Sequence, residues 1–325
     1  MGLALAKSGW TQFYPPSPTF TENDVTSQAG KVFIVTGGNS GVGFELIKML
    51  YPTGAIIYMA SRSQERAEAA IKTITPTDPS KASNLKFLFL DLDDLTTIPV
   101  SAAAFAAQES KLDVLWNNAG IGAVPGGTKT KQNIEAHIGV NCVGPLLFTQ
   151  HLLPQLRAAA KSAPKDSVRI VWTGSWMVES YSPKGGVDFQ ILEQGGKKDP
   201  RFDYAVSKVG NWMLAVEAAK RYGSDGIISV VQNPGNLNTT IFKYKSKLTM
   251  MIFNTIFLHK PILGAYTMLY AGFSPDITAE EQGAYIIPWG RIQKRNLRTD
   301  IYEAIEQGGA EKFWNWCEEK WGSIL

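Results

Sequence analysis

Lys31-Val32-Phe33-Ile34-Val35-Thr36-Gly37-Gly38-Asn39-Ser40-Gly41-Val42-Gly43 runs from an apolar strand pattern into a turn marked by Gly37, Gly41 and Gly43. Beyond it Phe44, Ile47, Leu50 and Tyr51 recur at helical spacing, and Pro52-Thr53-Gly54 stops the helix. A second apolar run, residues 55–60, ends at Ser61-Arg62. Where a strand gives way to a helix, backbone N–H groups open toward a diphosphate. Glycine permits the tight turn or close approach that a Cβ would block. A glycine triplet alone is equally a flexible turn; the strand before it and the helix after it supply the context the phosphate reading needs.

Outward from this turn the pattern repeats. On its N-terminal side, residues 1–30 carry Pro15, Pro16 and Pro18 among Trp10, Phe13, Tyr14 and Phe20, which reads as an extension lying across a domain or as a partly disordered leader. On the other side, a polar-faced helix over Gln64–Ile74 and a connection over 75–83 lead to a third strand, 85–90, ending at Asp91-Leu92. An Ala-rich helix over 97–110 precedes a fourth strand, 112–116, which closes on Asn117-Asn118-Ala119-Gly120. A long helix over 133–156, a fifth strand over 169–173 and Gly174-Ser175 follow. Residues 176–203 hold two Gly pairs and no sustained period, which predicts a long loop, and 204–222 predicts a helix. The sixth strand, 227–231, reaches Asn233-Pro234-Gly235. Near-continuous apolar strands alternating with helices predict an α/β fold: a doubly wound parallel sheet of about seven strands, covered on both faces.

The remainder predicts accessory parts. Residues 237–275 are rich in Met, Phe, Ile and Leu without strand alternation and read as a substrate-binding lid, with its densest apolar run at 248–258. A short helix at 280–284, a last strand at 285–289 and a helix at 303–320 complete the chain. In that last helix Phe313, Trp314, Cys317 and Trp321 form a stripe suited to docking on the domain, or to dimerisation. The domain plan is an extension over 1–30 and one dinucleotide-binding domain over 31–325.

The totals narrow the class of function. With 325 residues, 44% of them hydrophobic, the chain can build one large core. A formal charge of +3 gives no nucleic-acid footprint. Two cysteines, Cys142 and Cys317, make no disulfide framework and suit a reducing compartment, so a cytoplasmic location is expected. No run of 18 apolar residues occurs, so no membrane span is expected, although 248–258 can touch a bilayer surface or roof an apolar pocket. His137, His151 and His259 lack metal-ligand spacing, and no metal is expected. Neither a Gly-x-Ser-x-Gly elbow nor the Gly-Lys-Ser/Thr ending of a phosphate-binding ATPase loop is present.

Chemistry is carried by four side chains. Tyr204 and Lys208 lie one helical turn apart on the same face, and of the eleven tyrosines only Tyr204 has a Lys at the fourth following position. A nearby cation favours phenolate and would lower a phenol pKa from its usual value near 10. Such a pair is otherwise an ordinary surface contact. Ser175 follows a buried strand, whose C-terminal end lines the crevice in a parallel sheet, and it can polarise a carbonyl while Tyr204 moves the proton. It is equally a turn-capping serine. Asn141 sits in the 133–156 helix, either as a bend or satisfied core amide, or holding a water near Lys208. Asn118, Ala119 and Gly120 let a cofactor pass closely, or simply make a turn. After the second strand stand Ser61, Arg62 and Ser63 with no acid; an arginine and two hydroxyls suit a 2′-phosphate, favouring NADP over NAD. Asp91 is better placed for the adenine edge.

Together and in order, Thr36 to Gly43, Ser61-Arg62, Asp91-Leu92, Asn117 to Gly120, Asn141, Ser175, Tyr204 to Lys208, and Pro234-Gly235 followed by Thr239 resemble the short-chain dehydrogenase/reductase family. The likeness covers about residues 30–290 and is nearest to the retinol-dehydrogenase-like and WW-domain-oxidoreductase-like branch, of fungal type. It implies a catalytic group of Asn141, Ser175, Tyr204 and Lys208. By the same likeness Tyr204 is general acid in reduction and base in oxidation, and Lys208 binds the nicotinamide ribose and lowers the tyrosine pKa. Pro234, Gly235 and Thr239 would hold the carboxamide and phosphate, while Asn39, Ser40 and Val42 complete the glycine turn around the cofactor. Asn211 resembles the ending of the Tyr-x-x-x-Lys segment in this branch. Ser175 and Tyr204 are 29 apart, longer than in compact members, and Gly174 stands where a serine is common.

The expected activity is NADP(H)-dependent interconversion of a carbonyl and a primary or secondary alcohol on a lipophilic small molecule, in a secondary-metabolic setting. A catalytically silent NADP-binding regulator or scaffold, and an epimerase or dehydratase of the same fold, are the competing readings. The chain is expected as a monomer or homodimer, with peripheral membrane contact open.

Overall fold

A computed structural model describes residues 10–122, 124–237, 258–294 and 298–322. Its centre is one eight-stranded sheet in the order β3-β2-β1-β4-β5-β6-β7-β8. The strands are β1 (Val32–Thr36), β2 (Ile56–Ser61), β3 (Leu85–Phe89), β4 (Val114–Asn117), β5 (Val168–Thr173), β6 (Ile227–Gln232), β7 (Tyr285–Ile287) and β8 (Arg291–Ile292). The first seven are parallel to their neighbours, and β8 returns antiparallel along β7. At two residues β8 is too short to leave a period in the sequence, which is why about seven strands were legible and the described residues hold eight.

Alternate strand residues feed opposite cores. Val32 and Ile34 join one apolar cluster, Phe33 and Val35 the other. The second cluster is covered by α1 (Gly41–Leu50) and α2 (Gln64–Ile74). The first is covered by α3 (Ile98–Ala106) and by α4, which joins Ala136–Ile138, a π-helical turn Gly139–Val143 and Gly144–His151. α5 (Leu153–Ala160) and α6 (Pro200–Tyr222) complete that layer. The single 133–156 helix of the sequence reading is therefore three joined pieces and a separate helix; Pro154 sits in the first turn of α5, where a missing N–H does no harm, and Pro145 follows directly on the π-helical turn inside α4.

α6 begins four residues earlier than expected, at Pro200, because the Asp199 carboxylate accepts from the backbone N–H groups of Arg201 and Phe202. Tyr204 thus stands inside the helix rather than at its end. The expected loop over 176–203 contains two helical turns, Met177–Ser180 and Phe189–Glu193. α7 (Pro261–Phe273) packs on the second core, with the Trp116 indole N–H donating to Met268 O at 3.0 Å. Residues 238–257, which include most of the apolar run and Thr239, lie outside the described residues. The tail forms two helices, α8 (Thr299–Glu306) and α9 (Gly309–Glu319); Phe313, Trp314 and Cys317 of α9 are buried in the first core. Both cysteines are free thiols. Among the described residues no helix is long and apolar enough to cross a membrane.

Candidate active site

β1 lies between β2 and β4, so the chain's crossovers diverge on either side of it, and a crevice opens at the C-terminal ends of these strands. A groove of about 590 Å³ lies there. Gly37, Asn39, Ser40, Gly41 and Val42 form one wall; Arg62, Asp91 and Leu92 line the next segment; Asn118, Ala119 and Gly120 line a third. Gly37 and Gly41 take φ of +67° and +60°, the left-handed region that side chains disfavour. Gly43 lies beneath the turn instead of lining it. A Cβ there would stand 2.7 Å from Asn118 Nδ2 and 2.9 Å from Gly37 O, so a larger residue would push α1 off the turn. Ser40 precedes α1 without a side-chain capping bond, and the first-turn N–H groups lack that partner. A diphosphate fits this donor set.

Three side chains, Thr36, Arg66 and Tyr285, help to build the site in ways the sequence did not spell out. Thr36 Oγ1 donates to Trp116 O at 3.2 Å and accepts from Asn118 N at 3.0 Å and Ala119 N at 2.8 Å, fastening the two walls of the groove together. Asn118 Nδ2 donates to Thr36 O at 2.8 Å. Arg66 lines the groove with Arg62, brought round by a helix start that Ser63 caps by accepting from Arg66 N at 3.3 Å. Only the spacing of Arg62 and Arg66 across a helix start hints at this second cation. Tyr285 on β7 donates its hydroxyl to Ser175 O at 2.8 Å, and a Cβ on Gly174 would come within 3.2 Å of that hydroxyl oxygen. The glycine before Ser175, a departure from the family pattern, makes room for this anchor.

At the end of β5 the four candidate chemical groups meet. Ser175 Oγ is hydrogen bonded to Tyr204 and accepts from Met177 N at 3.2 Å. The Lys208 ammonium lies 5.4 Å from the centre of the Tyr204 ring and donates to Thr173 O at 3.0 Å. Asn211 Nδ2 donates to the same carbonyl at 2.8 Å. Asn141 sits in the π-helical turn with its side-chain amide hydrogen bonded, as the bend or satisfied-amide reading has it. Its Oδ1 accepts from Ile121 N at 2.8 Å; its Nδ2 donates to Ile121 O and Ser207 Oγ, each at 3.0 Å. Gly120 joins this cluster to the groove: a Cβ on it would lie 3.0 Å from Asn141 Oδ1 and 3.6 Å from Lys208 Nζ. Pro234 and Gly235 close β6 beside the cluster without lining the groove, Gly235 N donating to Asn233 Oδ1 at 3.0 Å.

The acidity of the phenol runs against expectation. Burial pushes Tyr204 up to about 12, opposed by the Ser175 hydrogen bond, and no lowering from Lys208 offsets it. Burial also brings the Lys208 ammonium down to about 8. Desolvation is the largest cause of both shifts. The site therefore holds a neutral phenol, ready to give a proton, beside a lysine that titrates just above neutral pH. Among the described residues no cluster of His, Cys, Asp and Glu is arranged to hold a metal.

Comparison with known proteins agrees with this arrangement. The family model described as short chain dehydrogenase matches residues 31–186. A short-chain dehydrogenase/reductase of Pestalotiopsis fici is 55% identical over 316 residues, covering 96% of this chain and 97% of that one. One from Phomopsis amygdali is 45% identical over 324 residues, covering 97% and 96% respectively. An NADPH-bound carbonyl reductase from chicken fatty liver is similar in structure with a TM-score of 0.61 over 83% of this chain and 99% of its own; at 23% identity that likeness speaks to the fold alone. With identity sustained over nearly its full length, a glycine turn at the strand-order reversal and the Ser, Tyr and Lys side chains gathered beside it, the chain belongs to the short-chain dehydrogenase/reductase family of oxidoreductases.

Proposed function

We propose that this oxidoreductase interconverts a carbonyl and a primary or secondary alcohol on a lipophilic small molecule, using NADP(H). The reading rests on one neighbourhood: Ser175, Tyr204 and Lys208 adjoin, through Gly120, a groove that carries Arg62 and Arg66. Arg62 and Arg66 would hold the 2′-phosphate, the first turn of α1 the diphosphate, and Lys208 the nicotinamide ribose. When bound, the nicotinamide supplies or accepts the hydride. Ser175 donates its hydroxyl hydrogen bond to the substrate oxygen. Tyr204 gives its proton to that oxygen in reduction and recovers it in oxidation. Its high pKa keeps it loaded as an acid throughout the neutral range.

The retinol-dehydrogenase-like branch is the finer assignment we favour, on the long interval between Ser175 and Tyr204. The lipophilic substrate class rests on the sequence of the 248–258 run. A fungal secondary-metabolic role fits the Pestalotiopsis and Phomopsis relatives, and a cytoplasmic location fits the two free thiols.

The test is NADPH consumption with a panel of lipophilic ketones and aldehydes, repeated with NADH and with Tyr204→Phe. Turnover favouring NADPH, reduced roughly 100- to 10,000-fold in Tyr204→Phe while NADPH still binds, is expected. Tight NADPH binding with no turnover across the panel would replace the enzymatic reading with a regulatory one.

A further inference from the structure

Gln12 belongs to the N-terminal extension, yet it is 1% exposed. Its Nε2 donates to Glu179 Oε1 at 2.8 Å, and its Oε1 accepts from Asn233 Nδ2 at 2.9 Å. Both partners are buried, and both belong to segments that abut the reaction centre. Glu179 lies on the Met177–Ser180 turn, whose first N–H donates to Ser175 Oγ at 3.2 Å. Asn233 accepts from Gly235 N at 3.0 Å through its other amide atom. Hydrogen bonds thus run from the loop after β6, through Gln12, to the turn that holds Ser175. The neighbours of Gln12 fix its place: Thr11 O accepts from Arg291 at 2.8 Å, and Phe13 O lies 2.7 Å from His259 Nε2. The Phe13 ring stands edge-on to Trp176 at 5.7 Å.

An amide is the matched adapter here. A carboxylate only accepts and the Asn233 NH2 only donates, so the bridging side chain must do both at once. A leader that merely wraps the surface needs no buried polar bridge, because each such bridge carries a desolvation cost unless every partner is met.

We propose that Gln12 is a positioning residue for hydride transfer: it locks the Ser175 turn and the Asn233–Gly235 loop into one frame, making the N-terminal extension part of the substrate side of the site. The inference rests on the carbonyl–alcohol reading above. Its test compares full-length wild type, Gln12→Leu, Glu179→Gln and the double variant Gln12→Glu/Glu179→Gln. The double variant restores a donor and acceptor in exchanged positions while still accepting from Asn233.

In Gln12→Leu, kcat with the best carbonyl substrate is expected to fall roughly tenfold or more, because Asn233 Nδ2 loses its acceptor and Glu179 Oε1 loses one of its donors, keeping Gln293 Nε2 at 3.2 Å. The dissociation constant for NADPH should change less than kcat, since the groove for its adenosine and diphosphate end lies at β1 to β4, away from the bridge, and hydrogen exchange at the Met177 and Gly235 amides should accelerate. The double variant should recover to within about threefold of wild-type kcat, a rescue that simple loss of packing does not give. Wild-type kcat and exchange in Gln12→Leu would overturn the proposal, as would a folded double variant with no recovery. Should Gln12→Leu fail to fold, Phe13→Ala at the half-buried edge serves instead. A raised KM for bulky carbonyls with unaltered NADPH affinity supports the placement, and unaltered KM sinks it. If the wild-type protein turns over nothing, the carbonyl reading fails, while exchange at Met177 and Gly235 still decides whether the bridge holds the two segments.

Discussion

Tyr204 and Lys208 are both drawn toward their uncharged forms by burial, and the consequence for pH is directional. The phenol, pushed up to about 12, stays protonated across the working range. The ammonium, brought down to about 8, is charged at pH 7 and loses its proton as pH rises through about 8. Reductive kcat/KM is therefore expected to decline on an alkaline limb near pH 8, set by the lysine rather than the tyrosine. A pH–rate profile with no limb below pH 10 would disprove that assignment. At the adenosine end the relevant residues are Arg62 and Arg66. Hydrogen bonds to a charged phosphate contribute about 1.5–3 kcal/mol each, so Arg62→Ser should weaken NADPH roughly tenfold or more. NADH should be little affected, and Arg62→Ser/Arg66→Ser should erase the preference altogether; fluorescence titration with both nucleotides reads this out. Arg62 was legible because it follows a strand directly. Arg66 was not, since its approach to the groove depends on how Ser63 turns the chain into α2.

At the scale of elements, what was legible was local. The glycine turn, the helix after it and the six longer strands each carry their pattern within a dozen residues, and the structure has them within a few residues of the expected bounds. The partners that steady the chemistry were not legible, because Tyr285, Thr36 and Gln12 meet it only once the sheet order is fixed. A bend at Asn141 was legible but its π-helical form was not: Asn141 satisfies its amide against Ile121, and the bond across to a distant loop favours a π-helical turn that periodicity does not reveal. Arg169 shows the same dependence on tertiary order. It sits on β5 and donates to Ala271 O at 3.1 Å, Ser274 O at 2.9 Å and Ile277 O at 3.0 Å, holding the end of α7 against the sheet. Burial lowers its pKa to about 10, which still leaves it charged at neutral pH. Arg169→Met would orphan these acceptors at about 1–3 kcal/mol apiece. A clear drop in the urea midpoint is expected, with NADPH affinity retained because the groove lies at the other end of the strands. Unchanged stability would show that solvent reaches the freed carbonyls.

For the whole molecule, the controlling fact is that a parallel sheet must be covered on both faces. α1, α2 and α7 cover one; α3, α4, α5 and α6 cover the other. α9 then adds a second layer over α6 and the π-helical turn of α4, burying Phe313, Trp314 and Cys317 completely and Trp316 to 7% exposure. Of the stripe read from the tail, Phe313, Trp314 and Cys317 are thus spent within the chain, and Trp321 packs half-buried against the same core. Large apolar side chains contribute about 1.5–3 kcal/mol each when fully buried, so Phe313, Trp314 and Trp316 together contribute roughly 5–9 kcal/mol. That rivals the entire net stability of an ordinary domain, about 5–15 kcal/mol. Ending the chain after Gln307 also uncovers Gly210 and Tyr222, which face Phe313 and Trp314, on the helix that carries Tyr204 and Lys208. The truncated protein is therefore expected to lose cooperative unfolding and most of its turnover together, even though no residue of the groove has been removed. Urea titration followed by tryptophan fluorescence, alongside NADPH binding, separates the outcomes. A sharp transition at the full-length midpoint would mean that α9 is only a decoration and that the first core closes without it. A broad, early transition with weakened nucleotide binding would mean that the tail helix holds the catalytic helix in register.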